Sequence, residues 1–320
     1  MLVLGRRDVE GLLDPVALID ALAPAMQALS EGRAHIPARV MAPVPDHGGL
    51  LAAMPGYLPG VPVLGAKLVT VFASNAAKGI DTHQALVAVF APDSGTPLAV
   101  MDGASITAIR TAAASALATR LLARADASTL AIIGTGVQAR SHARMIPLVR
   151  DITEVRVAGR DPAKARALAD EIGARAVDAY EEAIAGADIV CACTHAHEPV
   201  VRREWLTEGQ HVTSVGFTDG AEVDAATVAD AVVVVESRPA SLAEHPAGAN
   251  ELAWAIRDGL LDADDVVEVG EVVAGARTGR TSDDQITLYK SVGVAVQDLV
   301  AANLVLAAAR ERGGGTEVEL

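Results

Sequence analysis

A short apolar run that stops on a glycine constrains this chain more than any other feature. Residues 130–139 read Leu130-Ala131-Ile132-Ile133-Gly134-Thr135-Gly136-Val137-Gln138-Ala139. The four apolar residues suit a buried strand. Gly134 permits the tight turn leaving it, Gly136 removes a side chain where backbone must approach a ligand, and small Ala139 lets the next helix sit close to the sheet. A helix predicted over 137–149 and a strand over 154–158 follow in order, so the run opens a strand–helix–strand unit. The start of such a helix offers unpaired N–H groups and the positive end of its dipole to phosphate. Gly134, Thr135, Gly136 and Val137 are therefore the candidate phosphate-binding residues, and a dinucleotide pyrophosphate is the group that fits them.

The end of the second strand bears on which dinucleotide. In units of this kind an acidic residue about 20 positions on takes the ribose 2′-hydroxyl, whereas an arginine suits a 2′-phosphate. This chain has Gly159 and Arg160 there, followed by Asp161 and Pro162. A bidentate grip by Arg160 favours NADP(H), and Asp161 keeps NAD(H) open. Asp161 also suits the N-cap of the next helix, with Pro162 at its first position.

Strand and helix patterns alternate from residue 130 onward, at 130–134, 137–149, 154–158, 162–172, 188–193, 211–215 and 231–235. That alternation predicts an α/β chain built on a doubly wound parallel sheet. The first part has a different texture. After a helix predicted over 14–31 come Gly- and Pro-punctuated strands at 40–44, 50–54, 65–72, 84–90 and 97–101, which suggest an antiparallel set. A small-residue helix over 106–122 and a last helix over 292–310 complete the pattern, and 311–320 reads as a frayed tail. A net charge of −15 argues against nucleic acid or an anionic membrane as partner. Cys191 and Cys193 share one face of a strand-like run and read as buried thiols, which suits a reducing cytoplasm. The first ten residues lack the long apolar core of a secretion signal, and no stretch approaches membrane-span length.

Two charges fall on otherwise apolar faces. Strand alternation puts Lys67 with Val69 and Val71, and helical spacing puts Arg110 with Ala114, Leu117 and Leu121. A charge so placed is costly without a partner. The alternative for either is a snorkelling side chain at the edge of its element, but a pair in one region points to a substrate pocket. His83 and Gln84 at the start of a strand join the candidate set, with Arg39 ambiguous by itself.

Several segments together resemble one family. They are Met54-Pro55-Gly56-Tyr57, Gly65-Ala66-Lys67-Leu68-Val69, Thr82-His83-Gln84, Met101-Asp102-Gly103, Thr107-Ala108-Ile109-Arg110-Thr111-Ala112-Ala113, the glycine run itself, and Lys290-Ser291-Val292-Gly293. The chain is similar over residues 1–310 to the ornithine cyclodeaminase/μ-crystallin family. The resemblance implies an α+β N-terminal dimerisation and substrate domain (residues 1–118 with 292–320), a central Rossmann domain (residues 119–291), and a homodimer. It further implies that Arg39 and Arg110 hold a substrate carboxylate, that Lys67 stands beside the reacting carbon, and that Thr111, Gln138, Thr194 and Ser291 contact the cofactor.

Departures from the cyclodeaminase pattern sharpen the expectation. Ala52, Gln84, Gly159 and Lys290 stand where cyclodeaminases carry Glu, Thr, Asp and Asp, and all four differences point to the ketimine reductase branch. The family's catalytic Asp falls on Thr218 here, and Asp219 replaces it only by a one-residue shift. The expected chemistry is reduction by NAD(P)H of a cyclic imino acid, of the Δ1-pyrroline-2-carboxylate or Δ1-piperideine-2-carboxylate type, with Lys67 and Asp219 as catalytic groups. Ornithine cyclodeaminase, an alanine dehydrogenase-like enzyme and a non-catalytic NADPH-binding protein are the alternatives.

Overall fold

The computed structural model describes residues 1–216, 219–244 and 246–319. It divides into two compact units, one of residues 1–110 with 294–320 and one of residues 111–293. The divisions thus fall inside the helix Gly103–Leu122 and just past Gly293, rather than at 118/119 and 291/292.

In the first unit a seven-stranded sheet runs in the order Thr316–Glu317, Leu2–Leu4, Pro97–Asp102, His83–Phe90, Leu64–Phe72, Gly49–Tyr57, Val40–Val44. Neighbours are antiparallel except for Leu2–Leu4 beside Pro97–Asp102. The expected tail is corrected here, because Val3 pairs with Thr316 and Leu2 with Glu317, so the last residues form an edge strand. Pleating sorts each strand into two faces. Ala52, Met54, Val69 and Ala295 make a buried cluster, with Met41, Leu50, Val71 and Ala85 packed against it. Against this face lies the helix Ala295–Arg312. Two cross-strand glycines, Gly56 and Gly65, make its approach possible. A Cβ on Gly65 would lie 2.8 Å from Leu299 and 2.5 Å from the Ala88 carbonyl, and one on Gly56 would lie 3.1 Å from Leu299.

The second unit holds an eight-stranded, wholly parallel sheet. Its order is Val267–Glu268, Val232–Val235, Thr287–Lys290, His211–Ser214, Ile189–Ala192, Thr129–Ile133, Glu154–Ala158, Arg175–Ala176. Strand order reverses between Thr129–Ile133 and Ile189–Ala192, the switch point where open α/β sheets bind ligands beyond their carboxyl ends. Central strands are buried on both faces, as their unbroken apolar runs require. Thr287–Lys290 inserts between Val232–Val235 and His211–Ser214, with all four residues buried. The helix expected over 137–149 is shorter, Val137–Met145, because Pro147 turns its end into a 3₁₀ segment, Ile146–Leu148. Among the described residues, no single helix is long and apolar enough to cross a membrane.

Candidate active site

Lys67 is central in its strand and only 2% exposed, and Arg110 is 5% exposed. Both are buried with a partner rather than snorkelling. Lys67 Nζ donates to Asp298 Oδ1 at 3.3 Å and Arg110 Nε donates to the same oxygen at 3.0 Å. Arg110 Nη1 donates to Gln297 Oε1 at 2.8 Å, which fixes the plane of the guanidinium. Asp298 and Gln297 come from the first turn of the helix seated over Gly56 and Gly65, so the glycine pair sets the distance from carboxylate to lysine.

The electrostatics follow from burial and charge. Burial lowers the Lys67 pKa to about 8; Arg110 and Arg39 act in the same sense, and Asp298 opposes them. Burial alone would raise the Asp298 carboxyl, but Arg110 and Lys67 more than offset it and leave it below its ordinary range. His83 shares the inner face, opposite Val71, and burial together with Lys67 and Arg110 lowers it to about 4. It is therefore a neutral imidazole at neutral pH. Arg39 acts on the same lysine.

Two further expected site residues have their own surroundings. Gln84 pairs with Thr70, so the pleat turns it to the exposed face of the sheet, away from Lys67. Asp219 belongs to the second unit, where its 70% exposed side chain bonds His197 Nδ1 at 2.5 Å. The carboxylate that meets Lys67 is Asp298, which no motif in the sequence singles out. A signal for it was present all the same: no other acidic residue occurs between Asp284 and Glu311, and the helix around it is almost wholly apolar. Thr218 lies outside the described residues.

In the second unit the candidate cofactor residues other than Thr111 follow the carboxyl ends of parallel strands. Gly134 follows Thr129–Ile133 with φ +121°, and a Cβ there would stand 2.4 Å from the Cys193 carbonyl oxygen. Gly136 caps the helix Val137–Met145 without any side-chain hydrogen bond, Val137 is exposed at its first position, and a Cβ on Gly136 would meet nothing within 4 Å. The helix N-terminus thus stays open to an incoming phosphate. Thr135 packs where a Cβ on Gly159 would come within 2.6 Å of its methyl. Arg160 is exposed beyond Gly159, whereas Asp161 spends its carboxylate capping the helix Pro162–Ile172 through Ala163 N and Lys164 N. Gln138 is half-buried, and Thr111 is buried in the helix Gly103–Leu122.

Two buried glutamates brace this rim. Glu222 Oε1 accepts from the amide and hydroxyl of Thr194 at 2.6 Å each, and its Oε2 accepts from Ser214 Oγ and Gly216 N at 2.8 Å each. Glu236 accepts from Ser291 Oγ at 2.5 Å and from the amides of Val292 and Gly293 at 3.1 Å each. Lys290 completes the frame: its ammonium meets Glu251 at 2.9 Å and donates to the Gly216 carbonyl at 2.8 Å. Both cysteines are free and buried; burial pushes the Cys191 thiol up to about 12.

Comparison with known proteins agrees with this arrangement. The family model for the ornithine cyclodeaminase/mu-crystallin family matches residues 1–313. A Delta(1)-pyrroline-2-carboxylate reductase of Bacillus cereus is 37% identical over 329 aligned residues, covering 100% of both chains. Mouse ketimine reductase mu-crystallin is 39% identical over 274 residues, 84% of this chain and 83% of its own. The structure of Thermococcus litoralis Delta(1)-pyrroline-2-carboxylate reductase in complex with NADH and L-proline superposes with a TM-score of 0.94 at 36% identity, covering 99% of this chain and 100% of that one. The chain belongs to the ornithine cyclodeaminase/mu-crystallin family.

Proposed function

We propose that this protein is an oxidoreductase that reduces the C=N bond of a cyclic imino acid, Δ1-pyrroline-2-carboxylate or its six-membered analogue, to the cyclic amino acid. The observation that carries this reading is the buried Lys67–Asp298–Arg110 cluster, in a chain whose relatives of like length are named for that reaction. A reduced nicotinamide, when bound, supplies the hydride for the imine carbon. The chain supplies everything else. Arg110, with its plane fixed by Gln297 and Asp298, offers its remaining N–H groups to the substrate carboxylate, and Arg39, whose charge is felt at Lys67, adds to the positive field. Holding that carboxylate orients the imine carbon, which removes several kcal/mol from the barrier. Lys67, lowered to about 8, is an ammonium at neutral pH and a willing acid, so it delivers a proton to the imine nitrogen. Neutral His83 bounds the same face without adding charge. Ornithine cyclisation needs a further carboxylate for the distal amine. Position 52 offers only the methyl of a buried alanine opposite Val69, which favours the reductase reading.

The glycine loop, the uncapped helix start and the Glu222- and Glu236-braced rim fit a dinucleotide. For the phosphorylated form, NADP(H), the support is Arg160, exposed next to a residue with no side chain, while Asp161 is occupied as a cap. Following nicotinamide absorbance with purified protein and Δ1-pyrroline-2-carboxylate tests the whole reading: steady oxidation is expected with NADPH, more slowly with NADH. Arg160→Ala should raise the KM for NADPH about tenfold or more and leave that for NADH nearly unchanged, since a charge-assisted contact to phosphate contributes about 1.5–3 kcal/mol. Equal effects on both cofactors would remove Arg160 from their discrimination.

We also propose a homodimer formed through the outer face of the first unit's sheet. Val40 (68% exposed), Leu68 (42%) and Leu86 (52%) line up across neighbouring strands through Ala53, and Leu51 and Leu64 extend the patch. A contiguous apolar face of this kind marks an interface, and a self-complementary sheet face suits a two-fold axis. Replacing Leu68 and Leu86 together by arginine should shift the sedimenting species from dimer to monomer. An unchanged dimer would place the interface elsewhere.

A further inference from the structure

Asp298 is 1% exposed, and only one of its two oxygens is accounted for. Oδ1 takes both Lys67 Nζ and Arg110 Nε. Oδ2 is buried with no hydrogen-bond partner among the described residues. A carboxylate oxygen sealed from water and left unpaired is costly, and such a cost persists where a ligand completes the site. The donor that completes it is constrained by the neighbours. Among the described residues, Arg110, Arg39 and His83 are the charged and titratable groups that interact with Lys67 besides Asp298 itself. The three cations call for an anion on the ligand. In an α-imino or α-amino acid the nitrogen lies two bonds, about 2.5 Å, from the carboxylate carbon. A ligand whose carboxylate is held by Arg110 therefore carries its nitrogen close to the aspartate that Arg110 also holds.

Resting on the reductase reading above, we propose that Asp298 Oδ2 accepts the N–H of the substrate nitrogen, in the iminium before hydride arrives and in the neutral ring amine that hydride addition leaves, and so selects nitrogen heterocycles over other ring carboxylates. Asp298 then has two roles from one side chain. Oδ1 keeps Lys67 and Arg110 in place, and Oδ2 stabilises the positive nitrogen created when Lys67 passes its proton. The role expected of Asp219 thereby moves to the first unit.

The test compares two ligands of one shape: L-proline, with a ring N–H, and tetrahydrofuran-2-carboxylate, with oxygen in its place. Affinities are measured by calorimetry on the protein with oxidised dinucleotide, above pH about 8 so that the charge on Lys67 is reduced. The wild type is expected to prefer proline about 10- to 100-fold, the worth of a hydrogen bond to a charged group. Asp298→Asn should abolish that preference, so that the ratio of the two affinities falls to about one whatever common loss the loosened Lys67 and Arg110 impose on both ligands. If Asp298 only orders Lys67 and Arg110, the substitution weakens both ligands alike and the proposal falls. Should the Asn variant fail to fold, Asp298→Glu replaces it: the shifted carboxylate is expected to reduce the preference, and an unaltered ratio would overturn the assignment. Equal affinities in the wild type overturn it outright. Failure of the wild type to bind either ligand, or to oxidise NADPH with the pyrroline, instead refutes the reductase reading on which it rests.

Discussion

Lys67→Ala is expected to lower kcat for imine reduction by about 10³-fold, within the 10²- to 10⁴-fold range for a positioned general acid, with dinucleotide affinity unchanged. The lysine lies in the first unit, while the glycine loop and the rim braced by Glu222 and Glu236 belong to the second. The pH profile checks the same assignment without a mutation. An acid must hold its proton to act, and the Lys67 pKa is lowered to about 8. Turnover should therefore be flat below that value and fall tenfold per pH unit above it, where an unperturbed lysine would put the limb near its ordinary 10.5. His83, lowered to about 4, should contribute no inflection between pH 5 and 8. A limb near 10.5, or turnover retained in Lys67→Ala, would take the lysine out of the proton transfer.

Gly134→Val carries the other large effect, on folding and binding together. The position has φ +121°, and a Cβ there would point at the Cys193 carbonyl, while its amide donates to the Ala158 carbonyl at 2.8 Å. The residue is thus pinned between two strands, and the obstacle is backbone, which cannot rotate away. Positive φ in a β-branched residue and overpacking each cost about 1–3 kcal/mol, so thermal unfolding of the second unit should move down by many degrees and dinucleotide binding should be lost. Gly136→Ala separates the two consequences. Its φ of −87° suits any residue and nothing stands near its Cβ, so stability should hold while dinucleotide affinity falls at least tenfold. An affinity equal to wild type would show that this loop does not carry the pyrophosphate.

Much of this was legible in the sequence because it is written in short-range pattern. The glycine run, the strand–helix alternation and the two charges on apolar faces all depend on spacing within a dozen residues, and each reappears as an element or a buried side chain. What escaped depends on pairing across long separations. Lys67 and Arg110 could be seen to need a partner, but the partner is 231 and 188 residues away, in the apolar first turns of a helix where nothing marked it. Thr287–Lys290 has too few residues and too polar a composition to read as a central strand, yet the parallel sheet buries it completely. Thr316–Glu317 follows three glycines and forms a strand only because Leu2–Leu4 offers an edge. Gln84 lies on the face opposite His83 and Lys67, since a strand's period of two sends adjacent residues to opposite faces.

Because the first unit is assembled from residues 1–110 and 294–320, its completion is ordered in time as the chain is made. The parallel sheet is continuous in sequence and has all its strands available before the last helix leaves the ribosome. Until then, the antiparallel sheet lacks both its cover and its outermost strand, and two cations destined for burial have no counter-charge. Contacts spanning nearly the whole chain are slow to form, and exposed apolar strands in waiting are prone to aggregate. The helix that brings Asp298 is therefore also the element that closes the first unit, and a chain lacking residues 294–320 would leave the antiparallel sheet without its cover or its outermost strand.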